Sequence, residues 1–396
     1  REGKQVFLEK VPGFWERLSF LFKISIRNIF RYKRRLFMTI IGIAGCTALV
    51  YTGISLKNSI DEIGGKQFGD IKFYNMQINL KYDMTDEEVA QVVENTRKIE
   101  EITEANAVRE RSTDIVANGV NKSIFYMVGE SDALPKYIKL QNRKNKEKID
   151  LTDAGIIITE KLSEELKVKV GDTVTLKSGE KEGKAQIIGI TENYLYNYIY
   201  MTPTVYQEVY HEQVQYNEIL ANTLEINNEK ENELAQEIKE DSKISGIVLM
   251  RVINDEYKSS LGGLSSIVFL CVGCASLLAF IVLFNLNTIN IEERKRELAT
   301  IKVLGFYNKE VSSYVFRENI ILSIIGGIVG LFLGMLILGP IMKSAEVETI
   351  YLPITLNFLT FVLSFALTMV FTIVTDKLMN RRLRKIDMIE SLKSVE

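Results

Sequence analysis

The chain has 396 residues, 46% hydrophobic and 25% charged, with a net charge of −2, a balance that excludes bulk nucleic-acid binding. Its single histidine, His211, excludes any two-histidine metal site, and although Glu212 follows it, no second histidine completes an HExxH motif. No cofactor and no metal are expected.

Between Phe14 and Arg35, Trp15, Leu18, Phe22, Ile26 and Ile29 recur at helical spacing, with Arg17, Lys23, Arg27 and Arg31 on the other faces. Such a helix fits the inner headgroup layer, basic side on anionic lipid, and fits equally well against a partner protein. Four apolar segments follow, near Leu36–Leu56, Leu261–Leu286, Asn319–Met342 and Leu352–Val374. Each is close to the roughly 20 residues that cross a hydrocarbon core of about 30 Å. Ser266 to Leu286 carries no charge, which a core helix of a soluble protein rarely manages, so we read four transmembrane helices. All three cysteines, Cys46, Cys271 and Cys274, fall inside these spans, so the block between the first two spans cannot rely on disulfides. On an apolar helix, Cys271 and Cys274 read as small packing residues rather than a redox or metal pair.

Orientation follows from the basic flanks. Arg31, Lys33, Arg34 and Arg35 precede the first span, Arg294, Lys295, Arg296 and Lys302 lie between the second and third, and Lys377, Arg381, Arg382, Arg384 and Lys385 follow the fourth. The positive-inside rule places both termini and the 290s loop in the cytoplasm and Lys57 to Ser260 outside.

The external block reads as mixed α and β. Ile71–Leu80 alternates like a strand, Thr85 with Glu88 forms a capping box opening a helix to about Glu101, and Asn118-Gly119 signals a hairpin between Ser112–Ala117 and Ser123–Gly129. Gly155–Thr159 reads as a strand, Glu160–Lys167 as a helix, and Thr173–Lys177 with Ala185–Ile190 as a hairpin. Thr202 and Pro203 suit an N-cap and first helical position, and a strand, helix, strand set runs from Leu220 to Val252. The charged stretch Asn142–Lys148 reads as a solvated loop joining two lobes. Tyr194, Tyr196, Tyr198 and Tyr200 alternate along a strand, to pack a sheet edge or to form a docking surface.

Beyond the second span, Glu292, Glu293, Arg294, Lys295, Arg296 and Glu297 mix signs on a helix continued past the membrane, with i to i+4 support such as Glu292 with Arg296. Leu298, Ile301 and Leu304 keep one apolar stripe, and Gly305 permits a sharp turn before Asn308 starts the next helix. In the third span, Gly326, Gly330 and Gly334 repeat every fourth residue, which lets another helix approach closely. The partner is expected to be the second or first helix, where Gly42, Gly45 and Gly273 offer small surfaces; a dimer seam explains the repeat equally well. GEKEGKA at Gly179–Ala185 is one residue short of a Walker A loop and ends in alanine, and no GxSxG occurs, so catalysis by the chain itself is not expected.

Gly155–Tyr200, with its GDTVTL strand, resembles the extracytoplasmic core domain of MacB-type permeases. ERKRELATIKVLGFYNKEV with the following GGIVGLFLG, and the ending RLRKIDMIESLKSVE, are similar to the FtsX-like permease domain. The resemblance covers nearly the whole chain and implies a type VII ABC transporter permease. The implied fold is an α-helical membrane protein with four transmembrane helices and a large α/β (α+β) extracytoplasmic domain between helices 1 and 2. Its expected parts are a basic amphipathic helix (1–35), spans at 36–57, 261–287, 317–342 and 352–375, a two-lobed core domain (58–260), a coupling segment (288–316), a short external loop (343–351) and a cytoplasmic tail (376–396). The resemblance implies a bacterial plasma membrane location, a separate ABC ATPase as partner, and a second permease half or a homodimer; the basic helix before the first span suits the second half of a longer, duplicated permease. It implies export, extraction or mechanotransmission by movement of the extracytoplasmic domain. A sensor or recruitment module for a peptide, lipoprotein or cell-wall hydrolase, without net transport, is the alternative.

Overall fold

The computed structural model describes residues 33–384 except 180, 294, 306 and 355, so the amphipathic segment expected before Lys33 and most of the tail lie outside the described residues. Helix α1 (Lys33–Gly65) continues through a π-helical turn, Lys66–Ile71. That turn takes Ile71, the first residue of the expected strand, and β1 is confined to Met76–Leu80. Helix α2 (Asp86–Arg97) opens on a capping box: the Glu88 amide donates to Thr85 Oγ1 and the Thr85 amide donates to the Glu88 carboxylate, satisfying two otherwise orphan donors. Strands β2 (Ile102–Ala117) and β3 (Val120–Val128) meet at Asn118 and Gly119, whose φ of 52° and 78° match the twist of a tight hairpin. Then come β4 (Ile156–Thr159), α3 (Glu160–Leu166), β5 (Thr173–Ser178), β6 (Lys181–Thr191) and β7 (Tyr198–Met201). Helix α4 (Pro203–Tyr210) is capped by Thr202 Oγ1, which accepts from the Val205 amide; β8 (Glu218–Thr223), α5 (Asn228–Lys239) and β9 (Ile244–Leu249) follow.

The strands run in the order β3-β7-β4-β6-β5-β2-β8-β1-β9, and β3 also pairs with β2, so the first six close into a ring. Ile115, Ile124, Ile158, Leu176 and Ile199 fill one core on this ring, with Leu162 and Tyr206 from α3 and α4. The second core lies under α2 and α5, where Met76, Ile78, Ala105 and Ile219 meet Val89, Val92, Leu234 and Ile238. The two lobes are joined by β2, not by Asn142–Lys148: Ile102–Val108 pair with β8, while Arg109–Ala117 pair with β3. The 142–148 stretch is instead a tight turn, with Lys146 at φ 57° ion-paired to the buried Glu192 at 2.6 Å.

The remaining helices are α6 (Met250–Glu293), α7 (Lys295–Val303), α8 (Asn308–Ala345) and α9 (Phe358–Arg384). Among the described residues, four helices, α1, α6, α8 and α9, are long and apolar enough to cross a membrane, and they flank a large α/β domain inserted between the first two. Helix α9 begins at Phe358 rather than Leu352 because Asn357 caps it, Oδ1 accepting from the Leu359 amide at 2.9 Å. By its internal contacts the chain forms two compact units: a helical one, and one made of Ile60–Gly263 with Ala345–Pro353.

Within the helical unit, the glycine row of α8 lies on α1. A Cβ at Gly326 would stand 2.8 Å from Ile43, at Gly330 2.6 Å from Thr47 and 2.7 Å from the Ala44 carbonyl, and at Gly334 2.7 Å from Tyr51. The small surface opposite comes from Ala44, Thr47 and Ala48, whereas Gly42 faces Leu286 of α6 and Gly45 and Gly273 face open space. Hydroxyls add hydrogen bonds between helices, Thr47 with Thr368 at 3.1 Å and Thr372 with Ser323 at 2.9 Å.

Candidate functional site

The segment linking α6 to α8 is seated by the buried side of α7, where Leu298 and Ala299 are both fully buried. Leu298 belongs to one apolar cluster with Ile291 of α6, Val311 and Val315 of α8 and Met379 of α9, so the cluster joins α7 to three membrane helices. Ile301, one turn along, is half-buried against the same cluster. Leu304 leaves the expected stripe and is 72% exposed, because α7 ends at Val303 and Gly305 turns the chain with φ 96°. It stands beside Val303 and Tyr307, 60% and 78% exposed, as an uncovered apolar edge. Glu292 and Glu293 are exposed at the end of α6; Arg294 and the side chains of Arg296 and Glu297, with the expected Glu292–Arg296 pair, lie outside the described residues.

One helical turn into the bundle from this seat is a polar node that sequence reasoning missed. Asn287 of α6 and Asn319 of α8 both donate to Asp376 Oδ1 of α9, at 3.1 and 2.9 Å, and Asn287 also donates to Thr375 Oγ1. These three helices are the ones that hold Leu298. An acid at the end of an apolar span is the available signal, since intramembrane carboxylates are costly and seldom incidental; ending the fourth span near Val374 hid it.

A third arrangement lies within the unit of the inserted domain. Residues 345–353, between α8 and α9, are clasped to that domain by backbone and side chains. The Tyr196 amide donates to the Thr349 carbonyl at 2.7 Å and the Tyr351 amide to the Tyr194 carbonyl at 2.9 Å. Lys161, only 7% exposed, caps the loop by donating to the Val347 and Ile350 carbonyls at 2.5 and 2.9 Å. Burial pushes its ammonium below the ordinary lysine value, although Glu165 and Glu346 pull the other way. Arg143 completes the clasp, paired with Glu160 at 2.5 Å and donating to the Tyr351 hydroxyl at 3.3 Å. The tyrosine row is therefore mostly packing: Tyr194, Tyr198 and Tyr200 are buried, and Tyr196 alone is exposed, at a φ of 60° that breaks the alternation.

Residues 36–240 match the MacB-like periplasmic core domain, and residues 269–388 match the FtsX-like permease C-terminal family. No curated protein matches the sequence. Among solved structures, the periplasmic region of MacB from Actinobacillus actinomycetemcomitans is 14% identical over 47% of this chain and 93% of that one, with a TM-score of 0.33. The extracellular domain of the noncanonic ABC-type transporter YknZ from Gram-positive bacteria is 16% identical over 44% of this chain and 98% of that one, with a TM-score of 0.31. With the core-domain match spanning more than half of the residues and the FtsX-like match covering the helices beyond it, the chain belongs to the MacB-type, FtsX-like family of ABC transporter permeases.

Proposed function

We propose that this permease couples ATP hydrolysis by a separate ATPase subunit to movement of its inserted domain, for export, extraction or mechanotransmission, and that the ATPase docks on α7. The observation that carries this reading is the asymmetry of that short helix and the turn after it: Leu298 is locked in a cluster with α6, α8 and α9, while Val303 at the helix end and Leu304 and Tyr307 beyond it leave an apolar edge open. An anchor buried on one side and uncovered on the other lets a push on the edge tilt three helices together. An exposed apolar patch marks an interaction site, and a tyrosine such as Tyr307 is a common hot-spot residue within one. Because Leu304 and Tyr307 are exposed, replacing both by Gln leaves the bundle intact. ATP hydrolysis by the purified complex, measured against membrane insertion of the permease, is expected to fall by about tenfold, the equivalent of one lost hot-spot contact. Undiminished hydrolysis in a fully assembled complex means that the ATPase docks elsewhere.

A further inference from the structure

Just past the π-helical turn that ends α1, Lys72 is buried in the inserted domain. Its Nζ donates to the Tyr198 hydroxyl at 3.2 Å and lies 4.4 Å from the centre of the Tyr198 ring. The Tyr198 hydroxyl in turn donates to Glu110 Oε1 at 2.8 Å. Glu218, 8% exposed on β8, faces the same cluster, and Asn217 donates to its Oε1 at 3.3 Å. Tyr74 and Tyr200 complete the walls.

Four polar atoms here are buried without a partner: Glu110 Oε2, Glu218 Oε2 and the hydroxyls of Tyr74 and Tyr200. Two carboxyls thus share the enclosure with one ammonium. Arg111 is within electrostatic reach of Glu218, but it is exposed and lies over the Tyr82 ring at 5.2 Å, where water screens it. With both carboxyls ionised, the cluster holds one uncompensated buried charge, which a low-dielectric site tolerates poorly. One proton restores neutrality and turns one orphan oxygen into a donor.

We infer that Glu110 and Glu218 form a proton-binding site of the inserted domain, loaded with one proton while Lys72 is seated. The proton resides on Glu218, which burial first and the like charge of Glu110 second push up to about 8. Tyr74 and Tyr198 are raised as well, burial leading in both, so neither supplies a proton in this range. The folded chain keeps the proton on Glu218 up to about pH 8, whereas an unfolded glutamate releases it near 4.5. More protons bound in the folded state means that this site's contribution to stability declines as pH rises through that window.

The test uses the full chain in detergent, with thermal midpoint recorded against pH and the infrared band of protonated carboxyls recorded on the same samples. Relative to Glu218→Gln, the wild type is expected to lose about 3–5 °C per pH unit within the window, because one proton is released on unfolding. The same comparison shows a carboxyl band in the wild type at neutral pH that the variant lacks. Glu110→Gln, by removing the like charge, moves the upper end of the wild-type slope to lower pH while its onset, set by the unfolded glutamate, stays in place; it also keeps the test open if Glu218→Gln fails to fold. The inference is overturned if Glu218→Gln retains the slope and the band, or if Glu110→Gln leaves the upper end of the slope where it was.

Discussion

At the scale of single residues, the closest approach to backbone along the glycine row is Gly330 against Ala44 of α1, with Thr47 beside it. Any side chain there meets backbone, not a flexible tip, so neither helix gives way cheaply. Gly330→Ile is expected to cost about 3 kcal/mol or more, beyond ordinary overpacking, because helix association in lipid depends on close contact. Leu336 lies on an exposed face of α8, and Leu336→Ile is expected to stay within about 0.5 kcal/mol. Thermal midpoints of the two variants in detergent check this; equal midpoints mean that the glycine row is not a packing seam.

At the scale of elements, the loop between α8 and α9 is a structural part of the inserted domain. Lys161→Met removes the ammonium that donates to the Val347 and Ile350 carbonyls; these are partly exposed and the Val347 carbonyl still accepts from the Ile350 amide, so the loss is expected to be about 1–3 kcal/mol in total. Amide exchange at Tyr196 and Tyr351, whose bonds hold the loop, is expected to rise by about tenfold for each 1.4 kcal/mol lost. Unchanged exchange at both places the strength of the clasp in Arg143 and the backbone instead. What was legible in the sequence here was local chemistry. The Thr85–Glu88 box, the Asn118-Gly119 turn and the Thr202-Pro203 start each depend on a few adjacent residues, and each stands where it was read. Helix ends were less legible, because hydropathy marks where lipid is met and not where backbone hydrogen bonding stops: α6 starts at Met250, well before its apolar run. Leu304 misled for a related reason, since a stripe drawn through Leu298 and Ile301 ignores the end of α7. The clasp and the Asp376 node depend on partners far away in the chain, which no local pattern announces.

At the scale of the whole molecule, the basic flanks carry the proposed orientation. In a background without Cys46, Cys271 and Cys274, a cysteine at the exposed Lys144 is expected to react with a membrane-impermeant thiol reagent on intact cells, and one at Tyr307 only after the cells are opened. The reverse pattern, or labelling of both in intact cells, inverts or removes the orientation.

Strand β2 has a consequence for how such a permease moves its load. Since one unbroken strand of 16 residues is ladder-bonded into both cores, the inserted domain contains no joint at which its lobes could open and close like jaws. A displacement delivered to one core reaches the other through the sheet, with little lost to bending. Under the proposed coupling the domain acts as a rigid lever arm, and whatever rides on it is swung as a whole through an arc set by the arm, rather than squeezed and released.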